Sequence, residues 1–183
     1  PPPILNNIPR LPPRPHQLPP ARNLPGALLL RTTLVKQLAD FEGEHLLADI
    51  GNGTMNTLYM INGKPQQGKM FTEKFGTYQC TLAVREAFMQ KTQREINDTI
   101  IDEVLITGTA NIAPADLKII KSVAAEYVRD IFRRLREHGY DENTMTLYVT
   151  GGGGCLIKNF SKVNADRVKI VEDICAAAKG YEY

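Results

Sequence analysis

The segment Leu46-Leu47-Ala48-Asp49-Ile50-Gly51-Asn52-Gly53-Thr54-Met55-Asn56 constrains this chain more than any other, because an apolar run delivers an acid straight into a Gly-x-Gly-Thr turn. Between two strands such a turn can close backbone N–H groups around an oxyanion. Gly51 and Gly53 carry no side chain and can adopt φ > 0, and Thr54 adds a hydroxyl. In that arrangement Asp49 holds a hydrated Mg²⁺ and does not touch the phosphate, since bare carboxylate and phosphate repel. Taken alone, the turn reads as an ordinary hairpin loop.

The elements around it follow from periodicity and punctuation. Leu34, Val35, Leu38 and Phe41 predict a short amphipathic helix over 32–41, stopped by Gly43. Strands follow over 46–50, 56–61 and 68–71, with Asn62-Gly63 as a tight hairpin between the last two. Gly76-Thr77 opens a helix over 78–92. The stretch 96–109 is ambiguous: Val104-Leu105-Ile106-Thr107 has strand propensity, whereas Asn97-Asp98 and the spacing of Ile96, Ile100 and Val104 favour a helix, which is the reading adopted. Pro114 suits the first turn of a long helix that carries Ile120, Ala124, Tyr127, Val128 and Ile131 and ends at Gly139. A buried strand over 145–149 then feeds Gly151-Gly152-Gly153-Gly154, followed by a short helix over 155–160, a strand over 168–171, and a closing helix from Asp173 to Lys179 ended by Gly180. Meandering strands followed by alternating helices and parallel strands make the ribonuclease-H-like arrangement: an α/β fold with a five-stranded mixed sheet and flanking helices.

The first part of the chain differs from all of this. Prolines recur from Pro1 to Pro25 and interrupt any helix or ladder, so residues 1–31 read as an unstructured, Pro-rich or non-native leader, and residues 32–183 as the folded half-domain, with 95–112 as a small helical insertion. A net charge of +2 gives no reason to expect direct binding of nucleic acid or membrane. The three cysteines, Cys80, Cys155 and Cys175, lack any Cys-x-x-Cys pair, which argues against a zinc site or disulfide framework and fits the cytoplasm. Ala27-Leu28-Leu29-Leu30 is too short for a membrane span.

Four consecutive glycines between a strand and a helix cost conformational entropy, so something requires close approach of the backbone. The functional reading is a surface on which an adenosine lies, beside a helix N-terminus that favours phosphate. Together the two glycine segments resemble the ParM/StbA-like actin-like ATPases of bacterial plasmids and mobile elements. Leu47 to Asn56 looks like that superfamily's second phosphate motif, Tyr148 to Ile157 like its adenosine motif, and Ala176-Ala177-Ala178-Lys179-Gly180-Tyr181 like its closing connector helix. The resemblance runs from Phe41 to Tyr183 and covers the second half of such a protein; the first phosphate motif and the residue that orients the attacking water have no counterpart before Phe41.

The resemblance implies the nucleotide-binding half of a filament-forming ATPase that segregates plasmid or mobile-element DNA, contacting the DNA only through an adaptor. It implies ATP or GTP with Mg²⁺. Asp49 is the catalytic and metal-holding acid, Gly51, Asn52, Gly53 and Thr54 contact the phosphates, and Gly151, Gly152, Gly153 and Gly154 lie against the nucleoside. Half of a sugar- or acetate-kinase-type phosphotransferase, or a non-catalytic interaction module, are the alternatives on the same fold. The parent is expected to hydrolyse nucleotide and the chain by itself to be inactive, since half of a cleft excludes little water.

Overall fold

The computed structural model describes residues 42–171, so the expected leader and the helices over 32–41 and 173–179 lie outside the described residues. Strands β1 (Glu44–Ile50), β2 (Met55–Ile61) and β3 (Lys64–Glu73) form an antiparallel meander. Asn62 and Gly63 both take left-handed backbone, φ 47° and 70°, as a two-residue hairpin turn that matches strand twist requires. Helices α1 (Thr77–Thr92), α2 (Asp98–Thr107) and α3 (Pro114–Glu137) follow, then β4 (Thr146–Thr150), α4 (Gly152–Phe160) and β5 (Val168–Ile170). The sheet order is β3-β2-β1-β4-β5, with β4 parallel to both its neighbours. This is the five-stranded mixed sheet that the element order implied.

Alternation along β1 sorts the core. Leu46, Ala48 and Ile50 point into one large cluster shared with all four helices, while Leu47 joins Leu58, Met60 and Tyr148 on the opposite face. The stripe on α3 buries Ile120, Ala124, Tyr127, Val128 and Ile131 in the first cluster, and Pro114 stands at the start of the helix, where its missing N–H costs nothing.

Capping settles the ambiguous segment. The Asn97 side chain accepts from the Thr99 amide at 2.8 Å, Gly108 closes the helix at φ 80°, and Ile101, Val104 and Leu105 are buried in the common core. Two elements extend three or more residues beyond the expected bounds. β3 spans ten residues because Gly68, at φ 76°, absorbs a register shift opposite Leu58 and Met60 and lets pairing resume beyond it. α4 begins at Gly152 rather than at 155, for a packing reason that belongs to the site itself.

Candidate functional site

Sheet register brings the two glycine turns together. Asp49 on β1 pairs with Asn56 on β2 and with Thr150 on β4, so the turn after Ile50 and the turn after Thr150 leave the same end of adjacent parallel strands. In open α/β sheets ligands bind outside the carboxyl ends of the strands, and both turns stand there.

The first turn is built as a cap on α1. Gly51 donates to the Thr54 carbonyl at 2.9 Å, and the first amides of the helix, Thr77 and Tyr78, donate to the Gly51 and Asn52 carbonyls at 2.9 Å each. Those helix amides are therefore used internally. Gly76 lies beneath the turn, where a Cβ would fall 2.4 Å from the Asn52 carbonyl oxygen, and the buried Tyr127 hydroxyl donates to the Gly76 carbonyl at 2.7 Å. Neither Gly51 nor Gly53 takes a positive φ, contrary to the sequence expectation, because these hydrogen bonds and the Gly76 contact shape the turn without it. The amides of Asn52 and Gly53 make no backbone hydrogen bond among the described residues, and both residues are exposed.

The second turn holds its glycines for another reason. Gly151 takes φ +77°, and a Cβ there would lie 2.5 Å from the Ile50 carbonyl oxygen. At Gly153 it would lie 2.4 Å from the Ile50 Cβ, and at Gly154 2.9 Å from the Ile170 Cγ2. The close approach inferred from the sequence is real, but at these three positions its partners are β1 and β5 of the chain itself. That packing draws α4 back to Gly152. Gly153 and Gly154 are buried, whereas Gly152 is exposed and its nearest neighbour would be Thr77 Cγ2 at 3.1 Å.

Asp49 stands between the turns, half-buried, with its Oδ1 3.3 Å from where a Cβ on Gly151 would be. No hydrogen bond or ion pair reaches its carboxylate among the described residues, and burial pushes its pKa above the ordinary aspartate value. No group of three or more His, Cys, Asp or Glu able to hold a metal occurs among the described residues. A lone, uncompensated carboxylate beside exposed amides fits Mg²⁺ that arrives with phosphate and keeps most of its water, and does not fit a resident cation in a protein cage.

Both turns border a cavity of about 380 Å³, which Asn52 and Gly152 line from the turns, Thr77, Tyr78 and Thr81 from α1, and α2 from the far side. Asp98, Asp102, Leu105 and Ile106 make up the α2 wall. Asp98 is committed to an ion pair with Arg85. Asp102 is exposed, with the Thr81 hydroxyl at 3.5 Å from its Oδ1. Sequence reasoning missed this wall, although the spacing of Asp98, Asp102 and Leu105 on one helical face was available as a signal. Of the anticipated residues, Asn52 and Gly152 line the cavity, while Asp49, Gly51, Gly53, Thr54, Gly151, Gly153 and Gly154 lie along the turns that frame it.

No family model and no curated protein matches the chain. Solved structures do. Ta0583, an archaeal actin homolog, superposes with TM-score 0.65 at 16% identity over 84% of this chain and 52% of that one. A ParM filament from Clostridium botulinum gives TM-score 0.64 at 16% identity over 85% and 50%. Bacillus thuringiensis ParM with ADP gives 0.53 at 11% over 76% and 46%. At such identities the likeness is one of fold. The chain spans about half the length of these structures and has the fold of half an actin-like protein.

Proposed function

We propose that this chain is the nucleotide-binding second half of a filament-forming, actin-like ATPase that segregates plasmid or mobile-element DNA in the cytoplasm, reaching the DNA through an adaptor. The observation that carries the reading is the Asp49–Thr150 register pairing, which sets an uncompensated carboxylate between two glycine turns at one rim. That solved relatives in fold include a ParM filament and ParM with ADP, ATP and AMPPNP supports both the assembly and the ligand class.

In this reading the Asn52 and Gly53 amides and the Thr54 hydroxyl hold the outer phosphates of ATP or GTP, and the exposed backbone at Gly152 lines the other side. The cavity takes the nucleoside: Tyr78, Leu105, Ile106 and Leu156 pack the base, and Asp102 accepts a hydrogen bond from a ribose hydroxyl. Bound Mg²⁺ supplies charge neutralisation, held by Asp49 through water. In this reading the group that orients the attacking water belongs to the other half of the cleft, so the chain alone is proposed to be inactive. Among the described residues no helix is long and apolar enough to cross a membrane.

Asp49→Ala in the complete parent protein tests this. Mg²⁺-dependent hydrolysis is expected to fall at least about a hundredfold, roughly 2.7 kcal/mol, while the fold is retained. Turnover equal to wild type at matched Mg²⁺ overturns the phosphate-site assignment.

A further inference from the structure

A larger cavity, about 620 Å³, opens at the other end of the sheet, where β4 and β5 begin. Its charge is unusual for this molecule. Of the seven arginines between residues 42 and 171, Arg85, Arg94, Arg133 and Arg134 are each ion-paired with a carboxylate. The other three, Arg129, Arg136 and Arg167, have no carboxylate within ion-pair distance among the described residues, and all three line this one cavity. Lys162 joins them, and Glu142 is the one acid in the lining among the described residues. Arg129, Arg136 and Lys162 are exposed, while Arg167 is positioned by donating to the Thr144 carbonyl at 3.1 Å.

Beneath the cations the wall is apolar. Phe132, Tyr140 and Phe160 line it, with Tyr140 only 3% exposed. Guanidinium groups with no carboxylate partner among the described residues, set around aromatic side chains, are the composition of a protein-recognition hot spot, where a buried anchor and a charged rim act together. We propose that this cavity binds an acidic segment of a partner protein that carries an aromatic or branched apolar anchor.

Two considerations select that occupant. Residues 1–41 cannot supply it by charge, because they carry Arg10, Arg14, Arg22, Arg31 and Lys36 against the single acid Asp40. Residues 172–183 carry Glu172, Asp173 and Glu182 beside Tyr181 and Tyr183, so displacement of the bound probe by a peptide of residues 172–183 would overturn a partner as the occupant. A nucleic-acid backbone or free polyphosphate would use the cations and leave the apolar floor wet, and a chain of net charge +2 has no broad field to hold a polyanion. The proposal is independent of the nucleotide reading, since the cavity shares no residue with that site.

The test is fluorescence anisotropy with the full chain and a short fluorescein-labelled peptide of glutamates interspersed with phenylalanine. Saturable binding is expected. It should weaken at least about tenfold in the double variant Arg129→Glu and Arg136→Glu, and about tenfold when serine replaces phenylalanine in the peptide. Both arginines are exposed, so the variant should fold; the milder pair Arg129→Gln and Arg136→Gln, with circular dichroism on each, should show an intermediate loss. Absence of binding, equal binding by wild type and both variants, displacement by a peptide of residues 172–183, or displacement by inorganic polyphosphate together with indifference to the serine replacement would each overturn the proposal.

Discussion

The β1–β2 turn and the β4–α4 turn meet at one rim, yet their glycines answer to different demands. A Cβ on Gly53 would meet nothing within 4 Å and one on Gly51 only the Thr54 carbonyl oxygen at 3.8 Å, whereas Cβ atoms on Gly151 and Gly153 would fall 2.5 and 2.4 Å from atoms of Ile50. Four glycines in a row look like the stronger functional signal, but internal packing accounts for three of them. The Gly-x-Gly turn has no such account. With no positive φ and no crowding at either position, no contact among the described residues requires glycine there, and the proposed phosphate would supply a reason.

The sharpest way to break this contrast is the same one-carbon addition in both turns. Gly153→Ala should cost about 3 kcal/mol in urea unfolding, because its Cβ would overlap the Ile50 Cβ, an atom fixed to the β1 backbone. The usual gain of about 1 kcal/mol from replacing glycine by alanine in a helix is offset severalfold. A variant as stable as wild type would mean that α4 can slide off β1, and the packing account of that turn would fail.

A smaller effect should come from the support beneath the first turn. Phe75 stacks on Tyr127 with ring centroids 4.5 Å apart, the Arg134 guanidinium sits 4.0 Å above Phe75, and Glu73 holds both Arg134 and His138. Burial pushes the Glu73 carboxyl up, but hydrogen bonds with His138 and Arg134 and their charges more than offset it, so its pKa lies below the ordinary glutamate value. A depressed pKa contributes stability that is present above the ordinary glutamate value and lost as pH falls through the folded one. Glu73→Gln should therefore lower stability at pH 7 by roughly 1 to 2 kcal/mol, with the difference from wild type closing as the solution is acidified past that point. A deficit that stays constant across that range would place the loss in packing, not in charge.

Much of the architecture was legible because local chemistry and tertiary demand agree. Asn62-Gly63 has one comfortable turn, Pro114 one comfortable helix position, and Gly139, at φ +92°, follows the helix that it was expected to stop. The helix over 98–107 was harder, since Val104 to Thr107 favours a strand locally; the Asn97 cap and burial of Ile101 and Val104 override that propensity. What sequence could not supply is contact across elements. Gly76 reads as a helix opener and is in fact the floor of the β1–β2 turn, and the glycines after Thr150 read as a ligand surface because Ile50 and Ile170 are distant in sequence. The cavity wall on α2 escaped for the same reason: Asp102 and Ile106 gain meaning only when Asn52 and Gly152 are seen facing them.

The smallest structural effect should belong to Gly53→Ala, and it decides the most. Its φ is not positive and its Cβ has open space, so the alanine restricts the unfolded chain without straining the folded one. Unfolding free energy should stay within about 0.5 kcal/mol of wild type, or rise slightly. If the turn is an ordinary hairpin loop, nothing else should change. If phosphate oxygens come up to the exposed Asn52 and Gly53 amides, a methyl group beside them displaces the nucleotide, and ATP affinity in the complete parent protein should fall about tenfold, near 1.4 kcal/mol. Calorimetric titration set beside the melting curve separates the two, because a glycine kept for folding loses stability first and a glycine kept for a ligand loses only the ligand. Affinity within about twofold of wild type, some 0.4 kcal/mol, would return this turn to the class of plain hairpins and leave Asp49 without a phosphate to serve.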